Sequence, residues 1–346
     1  MKIACVLSVL ALVGSCAETK YSTKIENIKH SIQLTDSTTV INYANTITSE
    51  ELSTHLYTYS SNEFLGRATG EKGQKKAVEF LKSYYQNEGI VSPINDSIYF
   101  QTIPKSFLPE GTNASENVLA YIKGTEIPNE VLVISAHLDH EGVKDGEIYN
   151  GADDDGSGTV ALMEMAQAFK KAKDEGHGPK RSILFLHVTA EEIGLQGSLY
   201  YTQHPVFKLE NTIANLNIDM IGRIDKAHID QPNYVYLIGA DRLSKELHYI
   251  SEKVNNTYFN MNLDYKYNDE NDSNRFYYRS DHYNFAKHNI PVIFYFNGVH
   301  KDYHKPSDTP DKIDYQLLEK RTKLIFSTAW QLVNQKHRLT VDNITE

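Results

Sequence analysis

From Glu51 onward, two apolar rhythms alternate along the chain. "GEKGQKKAVEFLKSYYQNEG" places Ala77, Phe80, Leu81 and Tyr84 at helical spacing and stops at Gly89, which predicts an amphipathic helix with a glycine terminator. "NVLAYIKG" and "EVLVISAH" then read as strands. "GTVALMEMAQAFKKA" returns to the helical rhythm, with Leu162, Met165, Ala166 and Phe169 on one face. "RSILFLHVTAEE" and "TIANLNIDMIG" are apolar without alternation, as strands covered on both faces are. "YVYLIGA" predicts a strand, "DRLSKELHYISEKVN" a helix and "IPVIFYFNG" a late buried strand. "YQLLEKRTKLIFSTAWQLVNQ" closes the pattern as a long helix carrying Leu317, Leu318, Leu324, Ile325, Thr328, Ala329 and Leu332. Strands alternating with helices give an α/β class: a mixed, largely parallel central sheet with helices on both faces. The regular pattern marks one domain over residues 50–337, with residues 338–346 as a tail.

The first residues break this rhythm. In "MKIACVLSVLALVGSC", Lys2 precedes an apolar run from Ile3 to Val13 that is too short to span a bilayer. A secretory signal over residues 1–15 is the expectation. "VGSC" resembles a bacterial lipobox, which implies cleavage before Cys16 and lipid attachment to it. Cys5 and Cys16 are the two cysteines of the chain. The mature protein would keep Cys16 alone, with no disulfide available in an oxidising compartment. Residues 16–49, polar and rich in Thr, Ser and Asn, read as a tether and loose lead-in. The expected location is the periplasm or cell exterior, with the membrane touched through the lipid alone.

Composition narrows the function classes. A formal charge of −10 without any Lys/Arg-rich run argues against a nucleic-acid partner. The 346 residues, 40% of them hydrophobic, are enough for one large core.

Chemistry collects where apolar runs end. His137 follows "VLVISA", Glu191 and Glu192 follow "ILFLHVTA", Asp219 follows "ANLNI", and His304 follows "IPVIFYFNG" after a short loop. Asp154 sits in the glycine-rich turn "GADDDGSG" ahead of a helix. The carboxyl ends of parallel strands converge on one crevice, so these groups are expected to meet. Singly, each has an ordinary reading: a surface histidine, a solvated helix start, a helix cap. Together they would bury several carboxylates in one place, which is prohibitive without a cation. Histidine and carboxylate oxygen suit zinc. In "HLD", Asp139 can accept a hydrogen bond from the ring nitrogen of His137 that faces away from an ion. The glycines around Asp154 allow one carboxylate to bridge two ions.

"AHLDH", "GADDDGSG", "AEEIGLQGS", "NIDMIGR" and "YHKPSDTPDKID" occur in the order seen in the co-catalytic di-zinc aminopeptidases, and "FLGRATGEKGQKKAVEFL" resembles the first helical segment of that family. The resemblance covers roughly residues 50–335. It implies two zinc ions held by His137, Asp154, Glu192, Asp219 and His304, with Asp154 bridging. It also implies Glu191 as general base, Asp139 as the residue that orients His137, and Tyr277 (or its neighbour Tyr278) as an oxyanion donor. The implied activity is removal of N-terminal residues from peptides. Glutaminyl cyclase or carboxypeptidase chemistry on the same scaffold, and a lipoprotein binding module with a structural metal, stay open as alternatives. The specificity pocket is expected from loops within 224–234 and 258–280. The residue preferred at the substrate N-terminus, the oligomeric state and the native metal are left open.

Overall fold

The structure is a computed structural model and describes residues 22–342; the expected signal segment and Cys16 lie outside the described residues. The chain opens with helix α1 at residues 22–31, followed by α2 (Ser37–Ala44), α3 (Ser49–Tyr59) and α4 (Lys72–Asn87). Strands β1 (Phe100–Ile103), β2 (Ser115–Ile122) and β3 (Ile127–His137) come next, then a hairpin of β4 (Gly142–Lys144) and β5 (Glu147–Tyr149). Helix α5 (Gly158–Asp174), β6 (Arg181–Val188), α6 (Gln196–Gln203), β7 (Thr212–Ile218) and β8 (Tyr234–Ile238) follow. The chain ends with α7 (Lys245–Tyr258), β9 (Asn262–Asp264), α8 (His282–Ala286), β10 (Val292–Phe296) and α9 (Tyr315–Asn334).

Eight strands form one sheet in the order β1-β2-β6-β3-β7-β10-β8-β9. The central four, β6-β3-β7-β10, are parallel, while β1, β2 and β8 pair antiparallel to their inner neighbours. The mixed, largely parallel α/β sheet expected from the apolar runs is therefore present. Residues alternate between the two faces of a strand. Leu132, Ile134 and Ala136 of β3 accordingly enter a core with α4, α5, α7 and α9, while Val131 and Val133 enter a second core on the face of α6 and α8. Burying a leucine or valine this completely contributes roughly 1.5–3 kcal/mol, so both faces supply stability, and the continuous apolar runs follow from it.

The chain leaves β3 for β6 on one side and later reaches β7 on the other. That reversal is a topological switch point, where the crevice of an open α/β sheet lies. The register places the exits level: His137 stands opposite Val188, Ser135 opposite Asn217, and Tyr295 opposite Ile218.

Two boundary expectations need correction. The lead-in is not a tether throughout: Ile32, Val40, Tyr43, Ala44 and Ile47 belong to the main core, and α2 and α3 pack on α5 and α9. The few apolar residues of this polar stretch are spaced to one face of each helix, which composition alone hides. The tail is also docked as far as it is described. Leu339 is buried, and the Lys245 amide bonds Asp342 at 2.8 Å. Among the described residues no helix is long and apolar enough to cross a membrane.

Candidate active site

Three of the five expected ligands come together at the exits of β3 and β7 and the turn before α5. His137 closes β3, and its Nε2 lies 3.1 Å from Asp154 Oδ1 and 3.6 Å from Asp219 Oδ1. The orienting contact differs from expectation. His137 Nδ1 donates to the backbone carbonyl of Asp139 at 3.0 Å, while the Asp139 carboxylate is 4.0 Å away. That carboxylate is already engaged, accepting from Thr69 Oγ1 at 2.7 Å and from the Glu191 amide at 3.2 Å. Asp139 thus steers Glu191 through its backbone and His137 through its own carbonyl.

The three consecutive aspartates divide their work. Asp155 accepts from the amides of Gly158, Met220 and His137 at 2.9, 3.1 and 3.1 Å. It joins the start of α5 to the exits of β7 and β3. Gly158 must be glycine for this, since a Cβ there would sit 2.5 Å from both Asp155 oxygens. Asp153 accepts from the Gly222 amide at 2.7 Å and faces His300 Nε2 at 3.1 Å. Between them, Asp154 is released to turn one oxygen toward His137 and the other toward His304.

The second group forms around that other oxygen. Asp154 Oδ2 is 3.0 Å from His304 Nε2, which is 3.3 Å from Glu192 Oε2. Glu141 Oε1 lies on the far side of the same ring, 3.2 Å from His304 Nδ1. His140 joins from the β3 exit, its Nδ1 2.7 Å from Glu192 Oε1. Strand β6 has already ended at Val188, and Ala190 turns the chain with φ +59°. The two glutamates therefore diverge at a turn rather than by strand alternation. Glu192 faces the histidines, and Glu191 lines the open pocket with Asp154 and Asp219.

The donor atoms fit cations. Asp154 Oδ2, Glu192 Oε1 and both ring nitrogens of His140 are buried without any hydrogen-bond partner. Leaving such atoms unmatched costs about 1–3 kcal/mol each, more for charged groups. His137 with Asp154 and Asp219 forms one potential metal group and His140 with Asp154 and Glu192 another. The two share Asp154, as a bridging carboxylate requires, and the N/O donor set suits zinc. The electrostatics agree. Burial pushes the Glu191 carboxyl well above its ordinary range, with Glu192, Asp219 and Asp281 adding to the rise against His137. His304 is raised to about 10: burial opposes this, but Asp154 and Glu192 outweigh it.

A relay of donors supports Asp219. Asn215 donates to Ser135 (2.9 Å), Ser135 to Asn217 (2.7 Å), Asn217 to Ser280 (2.8 Å) and Ser280 to Asp219 Oδ2 (2.7 Å). Only Oδ1 remains for an ion. Partners of this kind typically hold 10–100-fold in metal affinity. Ser280→Ala is expected to weaken one of two metal sites by about that factor, read by competition with a coloured chelator.

The pocket beside Glu191 is walled by Met220, Phe276, Phe294, Phe296 and Val299, with Arg279, Tyr303 and His304 also on its lining. Residues 258–280 contribute as expected, but 224–234 do not: Asp225 there is engaged by Tyr236 and His228. Tyr277 is not on the lining. Its ring lies under the Arg242 guanidinium, 3.8 Å from it, and packs on His282 and Tyr283. The exposed Tyr278 is also off the lining. The tyrosine at the site is Tyr303, stacked on His304 at 3.9 Å and pushed upward by burial and by Asp154, Asp219, Glu192 and Glu191. Sequence reasoning also missed Arg67. Fully buried, it donates to the carbonyls of Leu138 (3.0 Å), Asn150 (2.7 Å) and Gly151 (2.9 Å), tying the β3 exit to the aspartate turn.

A family model described as "Peptidase family M28" matches residues 117–329. Leupeptin-inactivating enzyme 1 of Streptomyces exfoliatus is 30% identical over 258 residues, covering 74% of this chain and 50% of that protein. The chain spans about half the length, or less, of the curated relatives it matches. Among solved structures, the LapA aminopeptidase of Legionella pneumophila superposes with a TM-score of 0.70 at 23% identity, over 88% of this chain and 76% of that one. Porphyromonas gingivalis glutaminyl cyclase superposes at 0.66 and 19%, over 82% and 98%. At these identities the structural likeness is one of fold.

Proposed function

The chain belongs to peptidase family M28, and from that premise we propose that it is a two-zinc exopeptidase that removes N-terminal residues from peptides. The observation that carries this reading is the sharing of Asp154 between two buried donor groups beside an unliganded glutamate. His137, Asp154 and Asp219 would hold one ion; Asp154, Glu192 and His304 the other. When bound, two zinc ions acidify water and polarise the scissile carbonyl. Glu191 accepts the proton of the attacking water and returns it to the departing amine. Asp139, bonded to the Glu191 amide, fixes where the base stands. Tyr303 offers its hydroxyl to the developing oxyanion, the task expected of Tyr277. The apolar wall of Met220, Phe276, Phe294, Phe296 and Val299 receives an apolar or aromatic side chain.

A carboxypeptidase reading has one observation in its favour. Arg279, with its guanidinium 4.9 Å over the Phe276 ring, is a cation on the pocket lining able to meet a terminal carboxylate. A matched set of peptides decides between them: free, acetylated at the N-terminus, or amidated at the C-terminus. Acetylation abolishes cleavage by an aminopeptidase and amidation does not; the opposite result assigns a carboxypeptidase. Loss of ammonia from a peptide with N-terminal glutamine, leaving pyroglutamate at the N-terminus of the uncleaved peptide, would identify a cyclase. Chelation should abolish hydrolysis and zinc restore it, and chelation should also lower the melting temperature, because ligands bound only by the folded state stabilise it by mass action. Full activity in a chain shown to be metal-free would end the proposal.

The run from Ile3 to Val13 and "VGSC" support export and lipid attachment at Cys16. The wild-type protein should fractionate with membranes, and Cys16→Ala should release it or block its processing. A soluble wild-type protein beginning after Cys16 would refute the anchor.

A further inference from the structure

We propose, resting on the two-ion reading above, that His140 is a direct ligand of the ion held by Asp154, Glu192 and His304. That ion then has four protein ligands and the ion at His137 has three. His140 is 1% exposed and stands immediately after Asp139 at the exit of β3. Its ring lies against Gly151, where a Cβ would come within 2.5 Å of Cγ and 2.6 Å of Cδ2. The slot exists because position 151 carries no side chain. From this slot Nδ1 points at the second donor group, 2.7 Å from Glu192 Oε1 and 3.8 Å from Asp154 Oδ2. The His304 ring stands nearly perpendicular to that of His140, at 75° and 5.7 Å between centroids, with Nε2 3.3 Å from the other Glu192 oxygen and 3.0 Å from Asp154 Oδ2.

One poorly aligned contact does not satisfy this many buried polar atoms. His140 Nδ1 is within reach of Glu192 Oε1 at 2.7 Å and His304 Nε2 of Asp154 Oδ2 at 3.0 Å, yet neither contact, nor any at His140 Nε2, is aligned as a hydrogen bond. A buried imidazole beside two buried, unmatched carboxylate oxygens is costly unless one centre satisfies all three. Ligands 2.0–2.2 Å from a tetrahedral zinc ion lie about 3.3–3.6 Å from one another. The observed separations of 2.7, 3.0, 3.3 and 3.8 Å bracket that edge.

The consequence is a division of labour. Zinc with four protein ligands makes a closed site, and zinc with three keeps a position for water or substrate. His140 therefore makes the His304 ion the anchoring one and leaves the open position at the His137 ion, beside Glu191. The first equivalent of zinc should enter the closed site.

Zinc-edge X-ray absorption on wild-type protein loaded with one equivalent counts the imidazoles directly. Two are expected, His140 and His304; one would overturn the proposal. The second measurement is chelator competition on His140→Ala and His140→Gln. The tighter of the two affinities should fall at least about 100-fold, since even contacts behind a ligand are worth 10–100-fold, and the weaker should move little. Unchanged affinities in a folded variant would overturn the proposal, and if the variants do not fold the absorption measurement still decides. Two ions with one imidazole each would remove His140 alone. A chain that takes up no zinc would remove the two-ion reading with it.

Discussion

Glu191→Gln is expected to lower turnover by about 10²–10⁴-fold while both zinc ions stay bound. The amide keeps the size and polarity of the side chain but cannot take a proton from water. Glu191 lines the pocket and is absent from both donor groups around Asp154, so its neutralisation removes no ligand. Its backbone amide, which bonds Asp139, is untouched by the substitution. Glu192→Gln should behave in the opposite way. Glu192 faces His140 and His304 at 2.7 and 3.3 Å, so exchanging a charged oxygen for an amide weakens metal binding, and activity falls with zinc content. The measurement is zinc per chain alongside kcat for both variants. Zinc loss in Glu191→Gln with retention in Glu192→Gln would reverse the two roles, and near-normal turnover in Glu191→Gln would require a different base.

The second large effect separates Asp154 from Asp155. Asp154→Asn should strip both ions, because one carboxylate serves both groups, yet the melting temperature in chelator should change little. Asp155→Asn should do the reverse in chelator. It replaces an acceptor for three buried amides by a group with one acceptor and one donor, leaving at least one buried N–H facing an NH₂. That costs about 3 kcal/mol and should be visible as a lower denaturant midpoint without metal. Equal destabilisation by the two variants would contradict the division of work among the aspartates.

These contrasts show what was readable in the chain. His137, Glu192, Asp219 and His304 stood out because each follows an apolar run, and strand exits in a parallel sheet share one crevice. Asp154 stood out because glycines flank its turn. What escaped acts through the backbone or through neighbours remote in sequence. Arg67 works on four carbonyls, and carbonyls leave no trace in residue type. His140 and Glu141 were hidden by the adjacent "HLD", which already supplied a ligand and a partner for it. The resemblance points to Tyr277, or its neighbour Tyr278, but Arg242 covers Tyr277 and neither lines the pocket. The early helices were obscured by polar composition, since few apolar residues suffice when all fall on one face. The supposed strand through Glu192 ends at Val188 because Ala190 turns there, and no residue type in "TAEE" announces that turn.

The donors at the crevice come from β3, from the turn before α5, from the exits of β6 and β7, and from beyond β10. This distribution has a kinetic meaning. Contacts between such distant stretches form slowly, because chain entropy is lost before they reward it. During synthesis His304 is the last of these donors to emerge. Before that, the nascent chain offers zinc a partial, acidic nest lacking one histidine. Tight loading of that nest therefore belongs to the end of folding, and zinc acts as a seal on a sheet already built rather than as its nucleus.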